Sequence, residues 1–105
     1  MILIRQEIGD VLRGFRLQKG KTLRQVASRA SVALGYLSEV ERGQKEASSE
    51  ILASVAEALD VPISTIYRTV GDRIAVLEGL DASAFPDVVP DELVAEVGQP
   101  ELSLR

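Results

Sequence analysis

Through the first 70 residues, apolar side chains recur at three- and four-residue steps, in short blocks separated by only a few residues. That period is helical, and blocks so short and closely joined bury their stripes only against one another, as a compact globule and not a long bundle. Ile4, Ile8, Val11, Leu12 and Phe15 make the first stripe, with Arg5, Arg13 and Arg16 off it. Gly9 and Gly14 weaken this helix and imply close backbone approach. Lys19-Gly20-Lys21 ends it, since cations suit a helix C-terminus and Gly suits the cap. Thr22 and Gln25 form a capping box, opening a second helix with Leu23, Val26, Ala27 and Ala30. Ser31-Val32 interrupts the pattern. A third helix starts near Ala33, turns Leu37 and Val40 inward and ends at Arg42-Gly43. After a polar loop, Ser48 or Ser49 caps a fourth, carrying Ile51, Leu52, Val55, Ala56 and Leu59. Asp60-Val61-Pro62 breaks it, and Ser64 or Thr65 caps a fifth with Ile66, Tyr67 and Val70. No stretch alternates apolar and polar residues, so the expected fold class is all-α, with five helices in the first 70 residues.

Beyond Gly71 the pattern changes. Val70, Ile74 and Leu77 stand at i, i+4 and i+7, which predicts a further helix over Asp72–Leu80 with Val76 and Leu80 widening its apolar face. The run from Asp81 to Pro90 reads as an extended linker. Asp91 caps a two-turn helix over Glu92–Val97, and the last residues read as unstructured. The expected organisation is a domain over 1–70, a helical dimerisation segment over 71–80 and an acidic, partly flexible tail over 81–105.

The 105 residues include no Cys and no His. This excludes zinc fingers, His-ligated haem, disulfide frameworks and the Cys–His and Ser–His–Asp nucleophiles. Of the carboxylate pairs, Glu39 and Glu41 are two apart on a helix and cannot share a face, while Asp91 and Glu92 are adjacent in the tail. Without a Gly-rich phosphate loop, no catalytic residue, metal or cofactor is expected. No apolar run reaches the ~18 residues that span a bilayer. Met1–Ile4, followed at once by Arg5 and Glu7, is no signal peptide. The lack of Cys fits a reducing cytosol, so a cytoplasmic location and no membrane partner are expected.

A net charge of −4 argues at first against nucleic acid as a partner. The charges are unevenly placed. Residues 1–70 carry 10 basic and 8 acidic residues, whereas residues 71–105 carry 2 and 8. A basic front with an acidic tail fits a nucleic-acid-binding module with a different function appended, but charge alone favours two solvated surfaces of an ordinary protein. Thr22 to Gly43 sharpens the choice: a capped short helix, a turn of about three residues and a second short helix. Ala27 is small where close helix approach needs it. Val26, Ala27, Leu37 and Val40 face inward, leaving Leu34, Gly35, Tyr36, Ser38, Glu39 and Arg42 outward. That is the layout of a helix-turn-helix whose second helix enters the DNA major groove, though an αα-corner shares the spacing.

The segments Thr22-Leu-Arg-Gln-Val-Ala27, Gly35-Tyr-Leu-Ser-Glu-Val-Glu-Arg-Gly43 and Leu52…Val55-Ala56…Leu59…Val61 resemble the Xre/Cro-type helix-turn-helix family. Within it, Arg24-Gln-Val26, Leu34 to Glu46 and Ser48 to Leu52 are similar to the Clp gene regulators of actinobacteria, the ClgR group. The resemblance covers roughly residues 5–70. Ala47 stands where the family usually has a Pro, and the chain after about Leu80 matches nothing in it. The resemblance implies a five-helix Cro/repressor-like domain, acting as a dimeric, sequence-specific activator of Clp protease and stress genes. Its recognition helix would span about 33–42. By position, Ala33, Leu34, Gly35, Ser38 and Glu39 correspond to the base-facing side, and Tyr36, Arg42 and Lys45 to the backbone-contacting edge.

The chemistry of these residues agrees with those places. Ser38 can bond several base edges, Glu39 can accept from a cytosine amine, and Leu34 can touch a thymine methyl. Gly35 allows close backbone approach. Arg42 and Lys45 suit phosphates, with Thr22, Arg24 and Arg29 as further candidates from the preceding helix. Tyr36 either bonds a phosphate or is partly buried under that helix. Glu41 sits in the last turn of a helix, the wrong end for a negative charge, and so calls for a cationic partner. The family resemblance implies Arg16 for that structural pair. A helix this small does not specify a site as a monomer. A homodimer on a pseudo-palindrome in double-stranded DNA is therefore expected, with Ile66, Val70, Ile74, Leu77 and Leu80 as its interface. The alternative is a protein-interaction module of antitoxin or adaptor type reusing the fold. In either case the tail could face RNA polymerase or a Clp protease.

Overall fold

The computed structural model describes residues 2–81 of the chain, with side chains described through residue 79. It has five helices: α1 (Ile4–Gln18), α2 (Leu23–Ala30), α3 (Leu34–Glu41), α4 (Ser49–Leu59) and α5 (Ile63–Asp81). No strand occurs among the described residues. The stretch Met1–Ala75 forms one compact unit. The expected linker and the helix over Glu92–Val97 lie outside the described residues.

Local signals set most of the boundaries. The Thr22 hydroxyl accepts from the Gln25 N–H at 3.0 Å, and the Gln25 side chain accepts from the Thr22 N–H at 2.8 Å, so the capping box of α2 is complete. Ser48, rather than Ser49, caps α4 by accepting from the Ile51 N–H. Both α2 and α4 end in a left-handed residue, Ser31 (φ 60°) and Asp60 (φ 59°). The next N–H then reaches back to an orphan carbonyl: Val32 to Ala27 and Val61 to Ala56, each at 3.0 Å.

The five stripes meet in one core. Leu12, Leu37, Leu59, Ile66, Val26, Val40 and Val55 are essentially without solvent contact, each burial of this kind stabilising by about 1.5–3 kcal/mol. Ile4, the first residue of its stripe, stays half exposed. The two glycines of α1 divide. A Cβ on Gly9 would lie 2.5 Å from the Val40 carbonyl oxygen and 2.6 Å from that of Glu41, so α1 and α3 approach backbone to backbone there. Gly14 has nothing near it, and close approach at that position is not found.

The fifth helix departs most from expectation. Instead of a short helix capped by Ser64 or Thr65 and a second starting near Asp72, one helix of 19 residues runs from Ile63 to Asp81. Ser64 and Thr65 lie inside it, and the Pro62 carbonyl accepts from Thr65 and Ile66. A helix-interior Gly costs only about 1 kcal/mol. The stripe Ile66, Val70, Ile74 crosses Gly71 in register and outweighs that cost. Ile66 and Val70 are 1% and 5% exposed within the monomer. Their assignment to a dimer interface is therefore corrected: they are core residues with no surface to offer a partner. Arg73 ties α5 to α1, its guanidinium donating to Glu7 at 2.9 Å and Asp10 at 3.0 Å.

The C-terminus of α4 is closed by cations. Lys21 and Arg29 both donate to the Ala58 carbonyl and the Asp60 carboxylate, and Lys19 donates to the Asp60 carbonyl. Hydrogen bonding from Arg29, then from Lys21, holds the Asp60 carboxyl below the usual carboxylate range. A group whose pKa is lowered by folding stabilises above its unfolded value, and that contribution disappears as pH falls through the folded one. Asp60→Asn keeps a residue that tolerates the left-handed backbone but removes the charge. In urea titrations at several pH values, wild type is expected to exceed this variant at neutral pH. The gap should close below the ordinary carboxylate range; a gap independent of pH would count against the charge network.

Candidate nucleic-acid interface

The α2–α3 pair is built by the small residue and the tight turn that the spacing implied. Ala27 is buried between the helices, Leu37 and Val40 close the seam beneath it, and Ser31 reverses the chain in the left-handed conformation. This leaves one side of α3 open. Ala33, Gly35 and Arg42 are exposed, and Ser38 and Glu39 are half-exposed. A Cβ on Gly35 would meet nothing within the protein, so the backbone there is open to an outside partner. Ala33 provides no side-chain cap, and the positive end of α3 points out without a side-chain acceptor. Leu34 is only partly available, being half-buried against the core.

The far end of α3 is anchored. Arg16 donates to both carboxylate oxygens of Glu41, Nε to Oε2 at 2.8 Å and Nη2 to Oε1 at 3.0 Å. It also donates to the Lys21 carbonyl at 3.1 Å. The side chains are only 12% and 7% exposed. The hydrogen bond to Glu41 raises the Arg16 pKa above its ordinary value, although burial opposes it. The expected Arg16–Glu41 pair is thus present and joins α1 to the last turn of α3. Arg5 adds a bond from its Nε to the Gly43 carbonyl at 2.9 Å.

The backbone-contacting candidates divide. Arg24 and Lys45 are exposed and have no bonded partner among the described residues. Thr22 is exposed, and its oxygen already serves the cap, leaving its proton to donate. Arg42 lies back along α3, donating to the Ser38 hydroxyl and to Gln44 Oε1. Because that hydroxyl accepts from Arg42, its own proton remains for a base. Tyr36 is half-buried, and its hydroxyl donates to the Glu46 carbonyl at 3.1 Å. Its one proton is occupied, so Tyr36 fastens the α3–α4 loop instead of offering a donor to phosphate. Arg29 is likewise removed from the phosphate candidates by its bonds to Ala58 and Asp60. Neither correction was visible in the spacing, because the partners are carbonyls brought close by the fold.

A capped short helix, a left-handed turn and a second short helix with an uncovered face make a helix-turn-helix. Residues 12–66 match the helix-turn-helix family. The chain belongs to the Xre-type helix-turn-helix family. It is 51% identical over 84 residues to the transcriptional regulator ClgR of Mycobacterium tuberculosis, covering 80% of this chain and 74% of that protein. It is 38% identical over 60 residues to the regulator SinR of Bacillus subtilis, covering 56% of this chain and 54% of that one. Among solved structures it superposes on the clp gene regulator ClgR of Corynebacterium glutamicum with a TM-score of 0.71 at 42% identity, over 79% of this chain and 88% of that one. The restriction-modification controller C.AhdI of Aeromonas hydrophila gives 0.58 at 29% identity, over 59% and 94%. The protein is a DNA-binding transcriptional regulator of the ClgR type, and not an enzyme.

Two variants test the assignments within this helix-turn-helix. Glu41→Gln is expected to destabilise by about 3 kcal/mol in urea, since it leaves the Arg16 charge buried without its counter-ion. An unchanged midpoint with sharply weaker DNA binding would sink the structural role. Tyr36→Phe is expected to lower stability by about 1 kcal/mol, while operator affinity at fixed salt stays within error. A loss of affinity without a loss of stability would return Tyr36 to the phosphate contacts.

Proposed function

We propose that this regulator binds a pseudo-palindromic operator as a homodimer, with α3 of each protomer in the major groove, and activates Clp protease and related stress genes. The observation that carries the reading is the uncovered side of α3, where exposed Ala33, Gly35 and Arg42 flank half-exposed Ser38 and Glu39. In this reading Ala33, Leu34, Gly35, Ser38 and Glu39 face the bases, and Thr22, Arg24, Arg42 and Lys45 contact the sugar-phosphate backbone. The names of the relatives support the target genes.

The dimer surface is assigned to the later part of α5. Ile74 and Leu77 are half-buried and Val76 is 64% exposed; the side chain of Leu80 lies outside the described residues. The functional division is then a DNA-binding domain over 1–70, a dimerisation helix over 71–80 and the acidic tail. As an activator the protein presents a surface to RNA polymerase, and residues 81–105 are the segment assigned to it; contact with a Clp protease is the other assignment.

Selection of bound duplexes from a random pool tests this directly. Enrichment of an inverted repeat with half-sites about 10 bp apart, or a multiple of that, is expected. Against the selected site, Glu39→Ala should change the preference at one base pair per half-site by about 1–3 kcal/mol. Arg24→Ala should weaken all sequences alike. No enrichment would instead favour a protein-interaction module on this fold.

A further inference from the structure

A groove runs between α1 and the α2–α3 pair, with the buried Arg16–Glu41 pair among its lining residues. Asp10 and Arg13 of α1 line it, together with Ser38 and Arg42 of α3 and Gln44 beyond. Three guanidinium groups and two carboxylates therefore meet there. Both carboxylates are already matched: Glu41 by Arg16 at 2.8 Å and Asp10 by Arg73 at 3.0 Å. Arg16 is matched by the same pairing. Arg13 and Arg42 remain. Arg13 is exposed and has no hydrogen-bond or ion-pair partner among the described residues. The partners of Arg42 are the neutral Ser38 and Gln44.

Two unmatched cations lining one groove repel each other, and a bound anion reverses that sign. The location identifies the anion. Ser38 and Arg42 belong both to this groove and to the open side of α3, so the groove adjoins the face assigned to base reading. What lies along the edge of a major groove occupied by such a helix is the phosphodiester backbone. We propose that Arg13 and Arg42 together bind one backbone phosphate of the operator, making α1 part of the DNA interface. This rests on the reading of α3 as the base-reading helix. It adds a residue outside the helix-turn-helix, Arg13, and explains the place of Arg73. By matching Asp10, Arg73 keeps a carboxylate at the rim from opposing the phosphate.

The test is the salt dependence of binding by the full chain to its selected operator and to a scrambled duplex. Because Arg42 stays on the same phosphate, Arg13→Ala is expected to reduce the slope of log K against log salt by part of the about 0.9 that one neutralised phosphate contributes per half-site, and Arg13→Ala with Arg42→Ala by the whole of it. Arg13→Ala should weaken both duplexes by the same factor, and Arg13→Lys should restore the slope. Arg68→Ala removes an exposed cation on α5 and should leave the slope unchanged. An unchanged slope for Arg13→Ala, an equal fall for Arg68→Ala, or an altered base preference overturns the inference while wild-type operator binding still stands. A wild type that binds neither duplex overturns the function itself, and this inference with it.

Discussion

The third helix, α3, is eight residues long, too short to hold its shape alone in water, and its position depends on α1. Gly9 lets the two backbones meet at the Val40 and Glu41 carbonyls, a distance that any side chain would block. Arg16 then grips Glu41 with both arms of its guanidinium and holds the Lys21 carbonyl as well. One cation thus connects the first helix, the entry to α2 and the exit from α3. An isolated pair of this kind would recover little of its desolvation cost. Here the geometry is bidentate, and the negative charge at the wrong end of α3 is neutralised where the helix most needs it. The outer side of α3 is consequently free of structural duties.

The same sorting runs through the other charges. Arg5, Lys19, Lys21 and Arg29 donate to backbone carbonyls of this chain, and Lys21 and Arg29 also to Asp60. Arg73 holds Glu7 and Asp10. Their charge is largely absorbed by helix ends and acidic neighbours. Arg13, Arg24 and Lys45 have no such bond among the described residues, and Arg42 meets only neutral groups. The net charge of −4 is therefore a poor guide to what α3 meets. Binding depends on the local charges, and at the α1–α3 edge the carboxylates of Asp10 and Glu41 are ion-paired while Arg13 and Arg42 have no acidic partner among the described residues.

Legibility in the sequence followed the range of the interaction. Helices with local signals were readable: the Thr22–Gln25 box, the Ser48 cap, the breaks at Gly20, Gly43 and Asp60. Where two local signals disagreed, reading failed. Gly71 and the capping residues Ser64 and Thr65 suggested a break in α5, but the stripe through Val70 and Ile74 kept the helix whole. For the candidate site, the family pattern placed the open residues of α3 and the Arg16–Glu41 pair. Neither the family pattern for Tyr36 nor residue chemistry for Arg29 indicated their partners here, the carbonyls of Glu46 and Ala58 and the carboxylate of Asp60. Backbone carbonyls are the same in every sequence, so nothing in residue identity announces such bonds.

By itself the sequence determined the helical pattern of the first 70 residues and the capped α2 with its tight turn into α3 around Ala27. Those properties depend on residue type and on neighbours within a turn or two. Tertiary structure alone decided which cations face outward, that Ile66 and Val70 belong to the monomer core, and that Arg73 reaches across 66 residues of chain to Glu7. These outcomes turn on which surfaces meet, because a side chain's burial and counter-ions come from distant segments whose approach no local spacing encodes.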